Sequence, residues 1–405
     1  MIKYILDTTN KIIKGTLPYQ TFAKELSANE SFTNIKQQAI RTLVNALLNR
    51  YYRYLYSLTK NEETNLTTEE VLALSLYSFN VEKHVLKLSY EELLSALPSS
   101  SQVKLEEKYP ETVFPIRIPQ GLHSESLALL YATRFSAPYF LIEQLIADIG
   151  KKNILKFLSL RPKEASGIIN TNIISDEDFF AKHKAFSKAE KPGQFIYNGK
   201  DFIKKTKPYV DNEIILTTQS MLEIAELIAS VNPKDLLFVQ YDDTSLVLLL
   251  ALLYPEITIH YTAEEPKSRF ILQHLVRKFA LKNISYVNSI AQTYDMVVTS
   301  LSSSNINGNI RHRDFYFRLP LDLNEITEKA KEQLLSVKDY VKDEGNLIFV
   351  TSTALRSETH YQALSFIRDH SDFYLEKEKQ YFHFNEYHET IYYAFFKKGL
   401  NDDQA

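Results

Sequence analysis

Between Lys182 and Lys207 the sequence carries Lys182, Lys184, Lys188, Lys191, Lys200, Lys204, Lys205 and Lys207 against two acids, Glu190 and Asp201. Phe186, Phe195, Tyr197 and Phe202 are interleaved, with Tyr209 just beyond. Ammonium groups at this spacing neutralise phosphates and rings between them stack on bases, so the strip suits a single-stranded or looped nucleic acid. The same composition also describes a solvated lysine face whose rings turn into a core, and the sequence leaves both readings open. A second stretch, Leu236 to Thr262, reads as strand, loop, helix and strand. In a doubly wound sheet the first strand-to-helix loop is where a nucleotide-like cofactor sits, and it is normally glycine-rich. Here it is Tyr241-Asp242-Asp243-Thr244-Ser245, and no glycine occurs between Gly199 and Gly308.

Other candidate groups are weaker. His383-Phe384-Asn385-Glu386-Tyr387-His388-Glu389 has metal-capable side chains, but its spacing matches no helical zinc signature and reads as a loop. Arg311-His312-Arg313 is a basic knot able to touch phosphate. Arg41, Arg50 and Arg53 read as solvated helix residues. There is no cysteine, which excludes disulfides, thiolate metal sites and cysteine nucleophiles from this chain. No Walker-type phosphate loop and no serine–histidine–acid arrangement is present.

The elements that must position these groups fall into three segments. The 405 residues, 44% apolar and 24% charged with net charge −3, suit a folded protein of more than one domain. No apolar run approaches a membrane span, and the N-terminus lacks a signal-peptide pattern, so a cytoplasmic protein without membrane contact is expected. Residues 1–150 read as helical. Ile35, Ile40, Leu43, Leu47 and Leu48 recur at helical spacing, Thr67 with Glu70 reads as a helix cap, and Pro138 opens a helix that Gly150 ends. Residues 151–215 form the small basic segment. Residues 216–400 alternate strands (Leu236–Tyr241, Ile257–Thr262, Ile284–Asn288, Met296–Ser300, Leu347–Thr351) with helices over 244–254, 265–281, 323–342 and 359–370. Strands near Phe373–Lys377 and Ile391–Lys397 close the chain. This order predicts a Rossmann domain of the methyltransferase type rather than the dehydrogenase type.

The order of segments resembles the Fmu/Sun family of bacterial ribosomal RNA 5-methylcytosine methyltransferases, over nearly the whole chain. The residues that carry the resemblance are Leu127 to Pro138 with Leu141, Ile142 and Gly150; Leu216 to Leu222; Gly308-Asn309-Ile310-Arg311-His312; and Gly345 to Thr353 with Glu358. The resemblance implies a helical NusB-like domain, a small α/β RNA-binding segment and a catalytic Rossmann domain that uses S-adenosylmethionine. It places an RNA-facing surface near Arg311 and His312.

Departures from the family pattern fall at the places that do chemistry. The family's glycine-containing loop after the first strand corresponds to Tyr241, Asp242, Asp243, Thr244 and Ser245, whose side chains keep the backbone from closing on a ligand and whose acids repel a carboxylate. The ribose-holding acid of the second strand falls near Tyr261, with Glu264 or Glu265 as a substitute, and the acid after the third strand falls near Asn288-Ser289. The two family cysteines, one of which adds to the ring's sixth carbon, fall near Ser303 and Ser352. The aspartate ahead of the first falls near Ser300. The expectation is an RNA-binding protein, ribosomal RNA being the implied target, derived from a cytosine methyltransferase and without catalysis or cofactor. Its RNA contacts are expected at Lys184, Lys188, Lys200, Lys204, Lys205, Lys207, Arg311 and His312. One alternative is an active S-adenosylmethionine-dependent RNA methyltransferase with an altered pocket and non-cysteine chemistry. Another is a protein–protein module that binds its partner through the NusB-like domain.

Overall fold

The computed structural model describes residues 1–58, 65–115, 126–159, 165–239, 244–262, 266–301, 303–304, 306, 314–382 and 390–399. They fall into two compact units, the first Met1–Leu158 with Ile310–Asp322 and the second Ser159–Asn309 with Leu323–Ala405.

The first unit is all-α: α1 Ile2–Ile13, α2 Tyr19–Ala28, α3 Asn34–Leu58, α4 Thr68–Lys83, α5 Tyr90–Leu94, α6 Ser99–Lys108, α7 Leu127–Phe135, α8 Tyr139–Ile149 and α9 Lys151–Ser159. Its punctuation follows local chemistry. Thr67 accepts from the Glu70 amide at 3.2 Å while the Glu70 carboxylate accepts from the Thr67 amide at 2.8 Å, a reciprocal cap that opens α4. Pro138 stands one position before α8, and Gly150 ends that helix at φ 82°. The periodic apolar set of α3 is buried at Ile40, Leu43, Leu47 and Leu48, whereas Ile35, in the first turn, is 83% exposed. The three arginines are bound rather than solvated. Arg41 donates to Ser27 Oγ at 2.8 Å, Arg50 pairs with Glu82 at 2.9 Å, and Arg53 donates to the carbonyls of Thr133 and Arg134 at the end of α7. Both carbonyls lie in the last turn of α7, where acceptors outnumber the amides of the helix, and the guanidinium supplies further donors.

The second unit begins with a small antiparallel sheet: β1 Ala165–Ile169, α10 Asp176–Lys182, β2 Phe186–Lys188, β3 Gln194–Tyr197, α11 Lys207–Val210 and β4 Ile214–Leu216, in strand order β2-β3-β1-β4. Gly167 lies where β1 meets β4. A Cβ there would sit 2.1 Å from the Ile215 carbonyl oxygen, so only glycine allows the contact.

The rest is α12 Gln219–Ser230, β5 Asp235–Val239, α13 Thr244–Leu253, β6 Thr258–Thr262, α14 Pro266–Lys278, β7 Ile284–Tyr286, β8 Tyr294–Ser300, α15 Asp314–Val337, β9 Val341–Thr351, α16 His360–Asp369, β10 Phe373–Phe382 and β11 Thr390–Lys398. Among the described residues these strands form one seven-stranded sheet, β10-β11-β9-β8-β5-β6-β7. All pairs are parallel except those of β11, which runs antiparallel to both neighbours. A strand inserted antiparallel at this end distinguishes the methyltransferase type of Rossmann sheet from the dehydrogenase type, as the order of elements predicts.

Helices cover both faces of this sheet, which explains the unbroken apolar strands. In β11, Ile391, Tyr393 and Phe395 enter one core, while Tyr392, Ala394 and Phe396 enter the other. Leu246 to Leu252 of α13 are all buried, so the most apolar stretch of the chain is a core helix. Several boundaries differ from expectation, most of all around β9. The helix before β9 starts at Asp314 and ends at Val337, and Val341, expected within it, opens the strand opposite Tyr294. Val341 is fully buried there, and cross-strand burial outweighs the helical pattern that precedes it.

Candidate functional site

The first strand, β5, lies between β8 and β6, so the order reverses beside it and the crevice at the strands' carboxyl ends is the expected place for a ligand. Register brings Ser300 opposite Val350, and the chain leaving β8 emerges beside the chain leaving β9. The two are joined by backbone bonds from Leu301 to the Val350 carbonyl (3.2 Å) and from Ala354 to the Ile306 carbonyl (2.8 Å).

Side chains complete the joint. Ser303 Oγ donates to the Ser352 carbonyl at 3.4 Å, so the two serines expected at the family's cysteine positions do lie together. Beneath them is a buried polar cluster. The Ser304 amide donates to Glu358 Oε2 at 2.6 Å, Thr353 Oγ1 lies 3.4 Å from Glu358 Oε1, and Ser304 Oγ and Thr353 Oγ1 are 3.2 Å apart. Glu358 is 1% exposed. Burial pushes its carboxyl up from the usual range, outweighing the bonds from Ser304 and Thr353 that favour the charged form. The carboxyl therefore serves as a clamp between the two loops. Serine hydroxyls are weak nucleophiles unless a base takes their proton, and Glu358 bonds to Ser304 and Thr353 instead.

The carboxyl ends of β6 and β7 carry Tyr261, Thr262, Val287 and Asn288, none of them acidic. Tyr261 is 1% exposed and packs into the core, so it cannot stand in for a ribose-binding acid. Asn288 Oδ1 accepts from Arg269 Nη1 at 3.0 Å, and the Arg269 guanidinium lies 4.2 Å from the centre of the Tyr286 ring. A fixed cation thus occupies the end of β7. Among the described residues, the carboxyl ends of β6 and β7 therefore offer no carboxylate to a ribose. Thr244 is half-buried at the start of α13; Tyr241, Asp242, Asp243, Glu264, Arg311 and His312 lie outside the described residues, as do Glu265 and the 383–389 cluster.

The basic segment divides. Phe186, Phe195 and Tyr197 are buried and pack with Phe179 in the core of the small sheet, so they offer no face to a base. Phe202 is 64% exposed. Lys182 and His183 are committed to the buried Glu213, each at 2.6 Å, and Lys191 is paired with Glu226. Lys184, Lys188, Lys200, Lys204, Lys205 and Lys207 are exposed, with Lys188 over the Phe180 ring at 5.6 Å. Among the described residues no group of three or more acidic or histidine side chains is arranged to hold a metal ion, and no helix is long and apolar enough to cross a membrane.

No family model and no curated protein matches this sequence. Among solved structures, PH0851 aligns over 98% of this chain and 99% of its own, with TM-score 0.62 and 15% identity. NSun6 from Pyrococcus horikoshii, solved with SFG, aligns over 64% of this chain and 97% of its own, with TM-score 0.56 and 9% identity. A methyltransferase homolog protein from Pyrococcus horikoshii covers 67% and 98%, with TM-score 0.54 and 13% identity. The likeness is one of fold. This chain has a Rossmann-type methyltransferase fold behind an all-α N-terminal unit, and the Ser303–Ser352 joint lies at the carboxyl ends of β8 and β9 of that fold.

The family resemblance put Ser303, within Leu301–Ser304, and Ser352 near the cysteine positions, but gave no role to Thr353 or Arg269. It used Glu358 only as a point of resemblance. A buried carboxyl bonded to an amide 54 positions away leaves no mark on local sequence. Arg269 had a weak signal, a cation early in the helix after β6, where the fold expects acids.

Proposed function

We propose that this chain binds RNA on the fold of an RNA cytosine methyltransferase and does not itself methylate cytosine at carbon five. The observation that carries the reading is the joint between the β8 and β9 loops. Where the chemistry needs a thiolate there are two serines, and the adjacent carboxyl clamps the loops instead of activating them. No other residue of the chain supplies a thiol. The cation at the end of β7 and the absence of an acid there support the loss of the S-adenosylmethionine site. Exposed lysines on the small sheet support RNA as the partner, ribosomal RNA being what the family resemblance favours.

Two measurements on the full chain test this reading. Titration calorimetry with S-adenosylmethionine is expected to show no heat. Filter binding of a structured ribosomal RNA fragment across a salt series is expected to show a clear slope, which Lys204→Glu, Lys205→Glu and Lys207→Glu together reduce. Micromolar cofactor affinity with methyl transfer to RNA would establish the altered-pocket enzyme instead. Loss of the salt slope, together with capture of a protein partner by the helical unit, would favour the protein-binding module.

A further inference from the structure

We propose that the RNA contact is one surface shared by the turn 202–210 and the C-terminal end of α14, and that it takes an unpaired strand. The proposal rests on the RNA reading above. Three observations meet at this surface.

The rings of the basic segment are not equivalent. Ile203 is buried and anchors the turn, while its neighbour Phe202 is the strip's exposed ring. Lys204, Lys205 and Lys207 beside it are exposed and make no ion pair among the described residues. The turn is also fastened to the methyltransferase-type domain. Asn170 Nδ2 donates to the Asn212 carbonyl at 3.1 Å and to the Phe279 carbonyl at 3.4 Å, tying the end of α11 to the corner after α14. Lys278 Nζ then lies 5.8 Å from the centre of the Tyr209 ring, with Arg277 exposed next to it. Finally, the charge is one-sided. Asp201 and Asp211 are the acids of residues 200–212, and residues 277–282 contain none.

Cations on both elements can therefore follow one phosphate backbone, and a ring standing among them meets a base face. A duplex keeps its base faces within the stack and an unpaired strand presents them, so the exposed ring selects for the unpaired strand. Lys182 and Lys191, the other half of the strip, are held by Glu213 and Glu226 and lie outside the contact.

The test is fluorescence anisotropy of the full chain with a labelled single-stranded oligoribonucleotide, and with a blunt-ended duplex of the same composition, across a salt series. Phe202→Ala is expected to weaken single-strand binding about tenfold, the loss of one stacked base, and to leave duplex binding unchanged. Phe202→Tyr keeps a ring and is expected to restore it. Arg277→Glu with Lys278→Glu is expected to lower the single-strand salt slope by about 1.4, two phosphates at roughly 0.7 each. Circular dichroism confirms that the variants fold. If RNA binds with a normal slope and these variants change nothing, the surface is wrong and the RNA reading stands. If the duplex binds equally well and Phe202→Ala affects neither, the unpaired-strand claim fails. If no RNA binds at low salt, both fall together.

Discussion

Replacing Glu358 with glutamine is expected to change the pH dependence of stability while leaving the loop joint intact, and replacing it with alanine is expected to break the joint. In the folded chain this carboxyl is 1% exposed, with its oxygens 2.6 Å from the Ser304 amide and 3.4 Å from Thr353 Oγ1. Its folded pKa is raised above the ordinary value of 4.5, because burial disfavours the charge more than the bonds from Ser304 and Thr353 support it. A raised carboxyl pKa means that the folded state holds the proton more tightly than the unfolded state. The contribution to stability is therefore complete below the unfolded value and is lost as pH climbs through the folded one. Glutamine has the same shape and no charge, accepts from the Ser304 amide and offers a donor to Thr353. Its stability relative to wild type should rise as pH climbs above the unfolded carboxylate range, and level off once the folded carboxyl has ionised. Alanine leaves the buried Ser304 amide without an acceptor and opens a cavity, together costing roughly 2–4 kcal/mol relative to Glu358→Gln at any pH. Urea unfolding followed by circular dichroism reads all three proteins, the chain having no tryptophan. Parallel pH profiles for wild type and Glu358→Gln, or an alanine variant as stable as Glu358→Gln, would refute the clamp.

Glu213 has the opposite sign. Burial works against its charge, but the bonds from Lys182 and His183 prevail and hold its carboxyl below the usual range. Its stabilisation is thus present above the unfolded value and lost as pH falls through the folded one. Glu213→Gln is expected to cost about 1–2 kcal/mol at neutral pH, discounted because Lys182 is half-exposed, with the difference shrinking in acid urea melts. Gly167→Ala places a methyl group against the Ile215 carbonyl and 2.9 Å from the Phe195 ring, and should destabilise the small sheet by roughly 2–3 kcal/mol in the same assay. Ser303→Cys with Ser352→Cys restores sulfur at both positions, yet no methyl transfer from tritiated S-adenosylmethionine to cytosine is expected, because Arg269 still occupies the end of β7. Incorporation of tritium would show that only the thiols were missing.

Much of the architecture was legible because its signals are local. The aromatic-rich apolar run at 391–396 reads as a strand, and Thr67 with Glu70 caps a helix through contacts four residues wide. The absence of cysteine, and of glycine in the loop after β5, is likewise a property of composition that no folding can alter. Chemistry at the β8–β9 joint was constrained in advance by what the chain lacks.

Tertiary structure decided which side of each element faces water and which distant groups meet. The lysine strip reads identically whether its rings are stacked outward or packed inward. Strand pairing sends Phe186, Phe195 and Tyr197 into the small core and leaves Phe202 outside. Arg53 looked solvated until α7 brought its carbonyls within reach. Glu358 became a clamp only when parallel register laid the loop after β8 against the loop after β9. The physical reason is common to all three cases. Propensity and capping act over a few residues, whereas burial and hydrogen bonding depend on neighbours that only the completed sheet assembles.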